Sequence, residues 1–399
     1  MTAYSASSEE ALRARDLLKD WAGESLLAQA QYQQIEKETV CDLRRTNIFL
    51  RIVLFLFTLI IVGASMVLFF VIFRPSDKTN GVFLLIFAGI AYAAAELAVS
   101  RARLHRFGIE EALAACSVGF LCVGMEFAFF NGYPSAAKEM EFVVPAAGAI
   151  ASLWVWRRFG LPYAFLAAMI CAIWIPDHWT ESHAAQRVIV AAFYAAALLI
   201  VAALRPRHRF SYLNGEYSIA EALLWLGIYV AINLQLFSVI TVRRLAGEPW
   251  ATTTEFSKPL YWATFVLIWC LPPVVLLRGL RLKDRFVIAV GAIVAILTLA
   301  TNKPYLGWQR QTWDPMLLGV LLIALALFLR RWLARGPGGV RRGFTAQRLS
   351  GKDKRWMSAA ITGFGAAASS AVTSTPQPEA PGFHFGGGDS GGGGASSDF

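Results

Sequence analysis

The sequence predicts an all-α fold: a polytopic transmembrane bundle of about ten helices, a cytoplasmic N-terminal helical hairpin and a disordered Gly-rich C-terminal tail. Three observations carry this. The 399 residues are 56% hydrophobic and only 16% charged, against about 25% charged in soluble domains. Between Asn47 and Ala334, apolar runs of bilayer-spanning length follow one another with short loops between them. Basic residues gather at alternate ends of those runs, the pattern that orients membrane helices.

Residues 1–46 read as the hairpin. Ser7 and Glu10 have capping-box spacing, and Leu17, Leu18 and Trp21 form an apolar stripe. Gly23 breaks the first helix, Ser25 can cap a second, and Leu26, Tyr32 and Ile35 supply facing contacts. The plainer reading is an amphipathic lid on the cytoplasmic face; the sharper one is a docking site for a protein partner. No cleavable signal peptide is expected, because this polar stretch precedes the first apolar run.

A helix crossing the hydrocarbon core needs about 20 mostly apolar residues. That length divides residues 47–335 into segments 47–73, 81–99, 110–130, 142–156, 161–176, 188–204, 219–240, 259–278, 286–302 and 316–334. Segments 142–156 and 161–176 are short and read as a tight pair between longer helices, with irregular backbone at Pro145, Pro162 and Pro176. If every segment crosses, Arg44, Arg101, Arg157, Arg205, Arg278 and Arg330, each with basic neighbours, fall on one side; Arg243 and Arg244 are the exception. Both termini are therefore expected in the cytoplasm. Trp179, Trp250, Trp308 and Trp313 fall near the outer boundary and Trp154, Trp156 and Trp332 near the inner one, as an aromatic belt requires.

Residues 336–399 are basic, then rich in Ala, Ser, Thr and Pro, then in Gly. Such a segment cannot bury enough apolar surface to offset its conformational entropy. His384, alone between two phenylalanines, makes no metal or base-stacking site there.

The net charge of +10 fits anionic lipid rather than nucleic acid, since no RNA- or DNA-reading motif accompanies it. Cys41, Cys116, Cys122, Cys171 and Cys270 lie in or just before apolar segments. They suggest neither a disulfide framework nor a zinc pattern. His178 and His183 in the outer loop are five apart, with no third ligand nearby, so no metal or other cofactor is expected. Walker A, G-x-S-x-G and H-E-x-x-H motifs are missing from the sequence, which weighs against an enzyme without deciding the matter.

Ionisable groups inside a bilayer are expensive and are the best pointers to function. Glu96 ends the second segment beside Arg101 and Arg103, while Glu110, Glu111 and Glu221 begin helices on the basic side. Each has an easy structural explanation. Glu126 does not: it lies about 23 Å into its helix by the rise per residue, among apolar neighbours. Asn233 and Gln235 reach a similar depth in the seventh segment. One reading makes Glu126, Asn233 and Gln235 a polar cavity for a small solute or proton; the other makes them interhelical hydrogen bonds that order the bundle.

His105-Arg106-Phe107 before Ile109-Glu-Glu111-Ala112-Leu113 has an echo in His208-Arg209-Phe210 before Ile219-Ala-Glu221-Ala222-Leu223. The echo suggests a same-direction repeat over 110–204 and 219–334, an architecture common among transporters.

The stretch Leu17-Leu18-Lys-Asp-Trp21-Ala-Gly23, with Gln31-Tyr32-Gln-Gln-Ile35, the apolar helix containing Gly63 and Ile109-Glu-Glu-Ala-Leu113, resembles a bacterial membrane-protein family, domain of unknown function 2157. The likeness covers the first third of the chain. It implies an inner-membrane location and brings no catalytic residues. Taken together, the residues favour a multi-pass membrane protein whose sequence names no biochemical activity, with small-solute transport as the leading specific role. The alternative is a non-catalytic scaffold or regulator, and an intramembrane enzyme on a lipid-type substrate stands third.

Overall fold

The structure is a computed structural model that describes residues 4–23, 26–39, 43–74, 77–130, 142–208, 213–236, 257–306, 308, 313–336, 340–341 and 344–345. The expectations on Ser25, Cys41, Arg209, Phe210, Arg243, Arg244, Trp250, His384 and the Gly-rich tail lie outside the described residues. So do residues 347–399 as a whole, while residues 1–346 belong to one compact unit.

Among the described residues there are twelve α-helices and one antiparallel pair of two-residue strands, Val340–Arg341 and Phe344–Thr345. The helices are α1 (Ala6–Gly23), α2 (Gln29–Glu38), α3 (Ile48–Phe73), α4 (Asp77–Ser100), α5 (Ile109–Met125), α6 (Val143–Phe159), α7 (Pro162–Trp174), α8 (His183–Leu204), α9 (Asn214–Ile232), α10 (Lys258–Leu282), α11 (Arg285–Tyr305) and α12 (Asp314–Ala334). Eight of them, α3 to α5 and α8 to α12, are long and apolar enough to cross a membrane. The chain is thus built as a multi-pass membrane protein. The two remaining apolar segments are the short pair α6 and α7.

Local chemistry explains the boundaries. Asn47 caps α3, its Oδ1 accepting from the Phe49 amide at 2.7 Å. Gly160, at φ 67°, ends α6 in the left-handed conformation, and Pro162 opens α7 at a position where its missing N–H costs nothing. Lys283 turns the chain between α10 and α11, and Asp284 caps α11 through the amides of Phe286 and Val287, at 2.9 and 3.4 Å. Two sequence expectations are corrected. The first hairpin helix is capped by Ser5, whose Oγ accepts from the Ser8 amide at 3.2 Å, and Ser7 lies inside the helix. Segment 219–240 begins earlier and ends earlier, as α9, because the backbone becomes extended at Asn233.

Helix α9 is the hub. One apolar cluster joins it to α7 and α8 through Phe165, Tyr194, Leu198, Leu224 and Ile228. Another joins it to α10 and α11 through Tyr229, Ile268, Val294 and Tyr305. Half of its membrane-spanning window is buried, against 6% for α3 and none for α12. Both helices leave most of their apolar side chains exposed, as lipid contact allows.

Helices α4 and α5 meet backbone to backbone. A Cβ added at Gly81 would strike the main chain of Ala128, and one at Gly124 would lie 3.0 Å from Leu84 Cβ. Small residues permit this approach where no hydrophobic force drives helices together. Gly81→Val should therefore lower stability by about 1–3 kcal/mol through overpacking. Gly89→Ala on the same helix, where an added Cβ meets nothing within 4 Å, should leave it unchanged. Thermal unfolding in detergent compares the two, and equal behaviour would contradict this packing.

Candidate functional site

Polar side chains inside the bundle form two layers, one at each end of α9. The first lies on the arginine-rich side. Arg205, in the 3-10 turn that closes α8, donates from Nη1 to Glu221 Oε2 at 2.5 Å and from Nη2 to Asp284 Oδ2. Ser218 Oγ donates to that same Asp284 oxygen at 2.5 Å, and Arg278 Nε donates to Glu221 Oε1 at 2.9 Å. Glu221 is fully buried. Two guanidinium groups and two carboxylates balance in charge, and every carboxylate oxygen among them has a donor. Burial of ionised groups is tolerable only with such pairing.

The same side carries three more pairs. Arg51 grips Glu111 in bidentate fashion at 2.9 and 2.5 Å, and Arg106 meets Glu216 at 2.5 Å. Glu96 binds Arg158 at 2.6 and 3.0 Å and accepts from Tyr92 Oη at 3.0 Å. Glu96 was expected beside Arg101 and Arg103. The structure supplies Arg158 of α6 instead, because α4 packs its last turns against the end of α6. Glu110 accepts from the Phe107 amide at 2.6 Å, which caps α5.

The second layer forms where α9 stops. Asn233 is fully buried; its Nδ2 donates to Tyr229 Oη at 2.8 Å and to Thr301 Oγ1 at 3.0 Å, using both amide hydrogens. Its Oδ1 accepts from the Gln235 amide at 3.1 Å, and its carbonyl accepts from Arg187 Nη1 at 3.3 Å. Gln235 Nε2 reaches Tyr261 Oη at 3.3 Å, and the Leu234 amide donates to Tyr305 Oη at 2.8 Å. Four helices, α8 to α11, are tied together here. Asn233 and Gln235 are thus brought together.

Glu126 is not brought to them. It opens a π-helical turn, Glu126–Phe130, that extends α5, and its side chain is exposed. Among the described residues no hydrogen bond or ion pair holds it. In the loop before α8, Gln186 Nε2 donates to Asp177 Oδ1 at 2.9 Å, His183 Nδ1 meets Gln186 Oε1 at 3.1 Å, and Ser182 caps α8. Those groups shape a helix start. No cluster of three metal-ligating side chains exists among the described residues. Trp179, Trp308 and Trp313 are exposed, but Trp156 packs inside against Phe165 and Tyr217.

Several participants carry no mark in the sequence. Arg205 and Asp284 look like loop charges, and Tyr261 and Tyr305 look like belt aromatics. The available signals were the i, i+4 spacing of Tyr229 with Asn233 and the i, i+3 spacing of Thr298 with Thr301.

The hairpin docks on the basic side. Tyr4 is buried and stacks on His105 at 4.6 Å, Arg45 holds Asp16 at 2.6 Å, and Arg15 of α1 reaches Glu36 of α2 at 3.2 Å. A parallel bridge between Arg44 and Leu104 fixes the chain entering α3 to the loop before α5. Gly108, at φ 104°, is required in that loop: a Cβ there would strike the Arg51 carbonyl. Burial, with help from Glu216 and against Arg106, raises the Glu9 carboxyl from 4.5 to about 7. Burial, with Arg106, Arg45 and Arg51 and against Asp16, lowers His105 from 6.5 to about 4.

Two outcomes follow from this geometry. Glu221→Leu strands Arg205 and Arg278 and should cost about 3–5 kcal/mol, read as a fall in the detergent melting temperature, whereas Glu9→Leu should cost far less. Docking of α1 should strengthen as pH falls from about 8 to about 6.5, because docked Glu9 takes up its proton near 7 and the released side chain only near 4.5. Below 6.5 released His105 protonates before docked His105 does, which opposes the Glu9 gain and levels the curve. Hydrogen exchange of the α1 amides follows this, and protection that stays constant from pH 8 to 6.5 would refute it. Compared with protein-family models, curated proteins and solved structures, the chain matches none.

Proposed function

We propose that this chain is a non-catalytic scaffold or regulator in the bacterial inner membrane, presenting its N-terminal hairpin to a protein partner at the cytoplasmic face. One observation carries the reading: the hairpin is anchored by one side and offers an apolar stripe on the other. Leu18 is buried, while Leu17, Trp21 and Leu26 are 43%, 45% and 66% exposed. Exposed aromatic and aliphatic anchors on a positioned helix are what a protein partner uses. The arginine distribution supports a cytoplasmic location for this face. The resemblance of the first third to the domain of unknown function 2157 family supports the inner membrane. A photo-crosslinker placed at position 21 should give one discrete protein adduct, lost in Leu17→Glu while the bundle still melts normally. Adducts to lipid alone would overturn the reading.

Small-solute transport is the second reading, favoured by the interruption of α9 within a polar layer at Asn233. It requires water at that layer. Thr301→Cys, at a fully buried position, should react with a membrane-impermeant thiol reagent if solute passes there, and stay protected if the layer only joins helices.

A further inference from the structure

Helices α3, α4 and α5 enclose a groove of about 540 Å³, within the size range of sites that hold organic ligands. Its walls are apolar, chiefly Met66, Phe70, Phe120 and Phe127, and two polar side chains stand on its lining, Arg74 and Asn80. Arg74 holds a left-handed backbone, φ 40° and ψ 51°, as the cap of α3. Its side chain is exposed at the mouth of the groove. Asn80 Oδ1 is enclosed by the protein itself, which leaves the Asn80 Nδ2 donor as the end of this amide that a molecule in the groove can reach. At Gly119, on the wall, an added Cβ meets nothing within 4 Å, so the space beside it is open.

We propose that this groove is a phospholipid site, with one acyl chain along the phenylalanine wall and the phosphate on Arg74. An apolar slot opening beside a single guanidinium matches an amphiphile with an apolar tail and a phosphate head. The Asn80 amide then meets the head-group or glycerol oxygens by donating from Nδ2. The bilayer supplies such molecules at saturating concentration. The site is independent of the scaffold reading, since it lies in the membrane-spanning helices rather than at the hairpin.

Native mass spectrometry of the full chain, released from nanodiscs of phosphatidylethanolamine, phosphatidylglycerol and diacylglycerol, tests this. One phospholipid should remain bound in preference to diacylglycerol. Arg74→Gln should lower its occupancy about tenfold, the value of one charge-assisted hydrogen bond, and Arg74→Lys should restore most of it. Gly119→Leu should fill the groove and abolish retention. Gly319→Leu, also in open space but on α12, which contributes nothing to the groove, should retain lipid and shows that an added leucine does not itself disturb the bundle. Diacylglycerol held as firmly as phospholipid, or unchanged retention in Gly119→Leu, would overturn the proposal.

Discussion

Charge balance without water is the constraint on which this bundle depends. Glu221 sits on the order of 10 Å along α9 by the rise per residue and is completely enclosed. An unpaired carboxylate there is not tolerable, so three other elements must converge on it. Arg205 comes from the end of α8, Arg278 from the last turn of α10, and Asp284, with Ser218, completes the circuit at the start of α11. Once these four charges are neutralised together, the relative positions of α8, α9, α10 and α11 are set at one end. The uncharged layer around Asn233 sets them at the other. Between the layers, the apolar clusters need only fill space.

Much of the architecture was readable in the sequence because the bilayer imposes a length. Helix positions came within a few residues of the structure wherever a run was uniformly apolar, as for α3, α10 and α12. Misreadings arose where a polar group had a tertiary partner. The seventh segment was drawn through Asn233 and Gln235, which hydropathy alone cannot distinguish from a continuing helix. In the structure, Tyr305 of α11 takes the Leu234 amide and the helix stops. Glu96 was assigned to the nearest arginines in sequence, yet Arg158 is nearer in space. Such pairs join residues more than sixty positions apart and leave no periodic trace.

The candidate polar residues divide along the same line. Depth along a helix was computable for Glu126, Asn233 and Gln235, but the direction in which each side chain points was not. Asn233 and Gln235 turn inward onto tyrosine and threonine partners. Glu126, at the junction of α5 with the π-helical turn, is exposed. Rotation about the helix axis decides whether a group meets protein or its surroundings, and a single sequence without clear amphipathicity does not encode it.

The contrast between α9 and α12 has a consequence for how the protein is made. Helix α12 buries none of its membrane-spanning window within the described residues and is uniformly apolar from Met316 to Leu329, so it can partition into the bilayer by itself as it leaves the ribosome. Helix α9 carries Glu221, with Asn233 at its end, into the same bilayer, and of their partners on other helices only Arg205 and Arg187 exist when it emerges. Arg278, Asp284 and Thr301 are synthesised later. Helix α9 must therefore wait at the insertion machinery, or lie shallow, until two more helices have followed it.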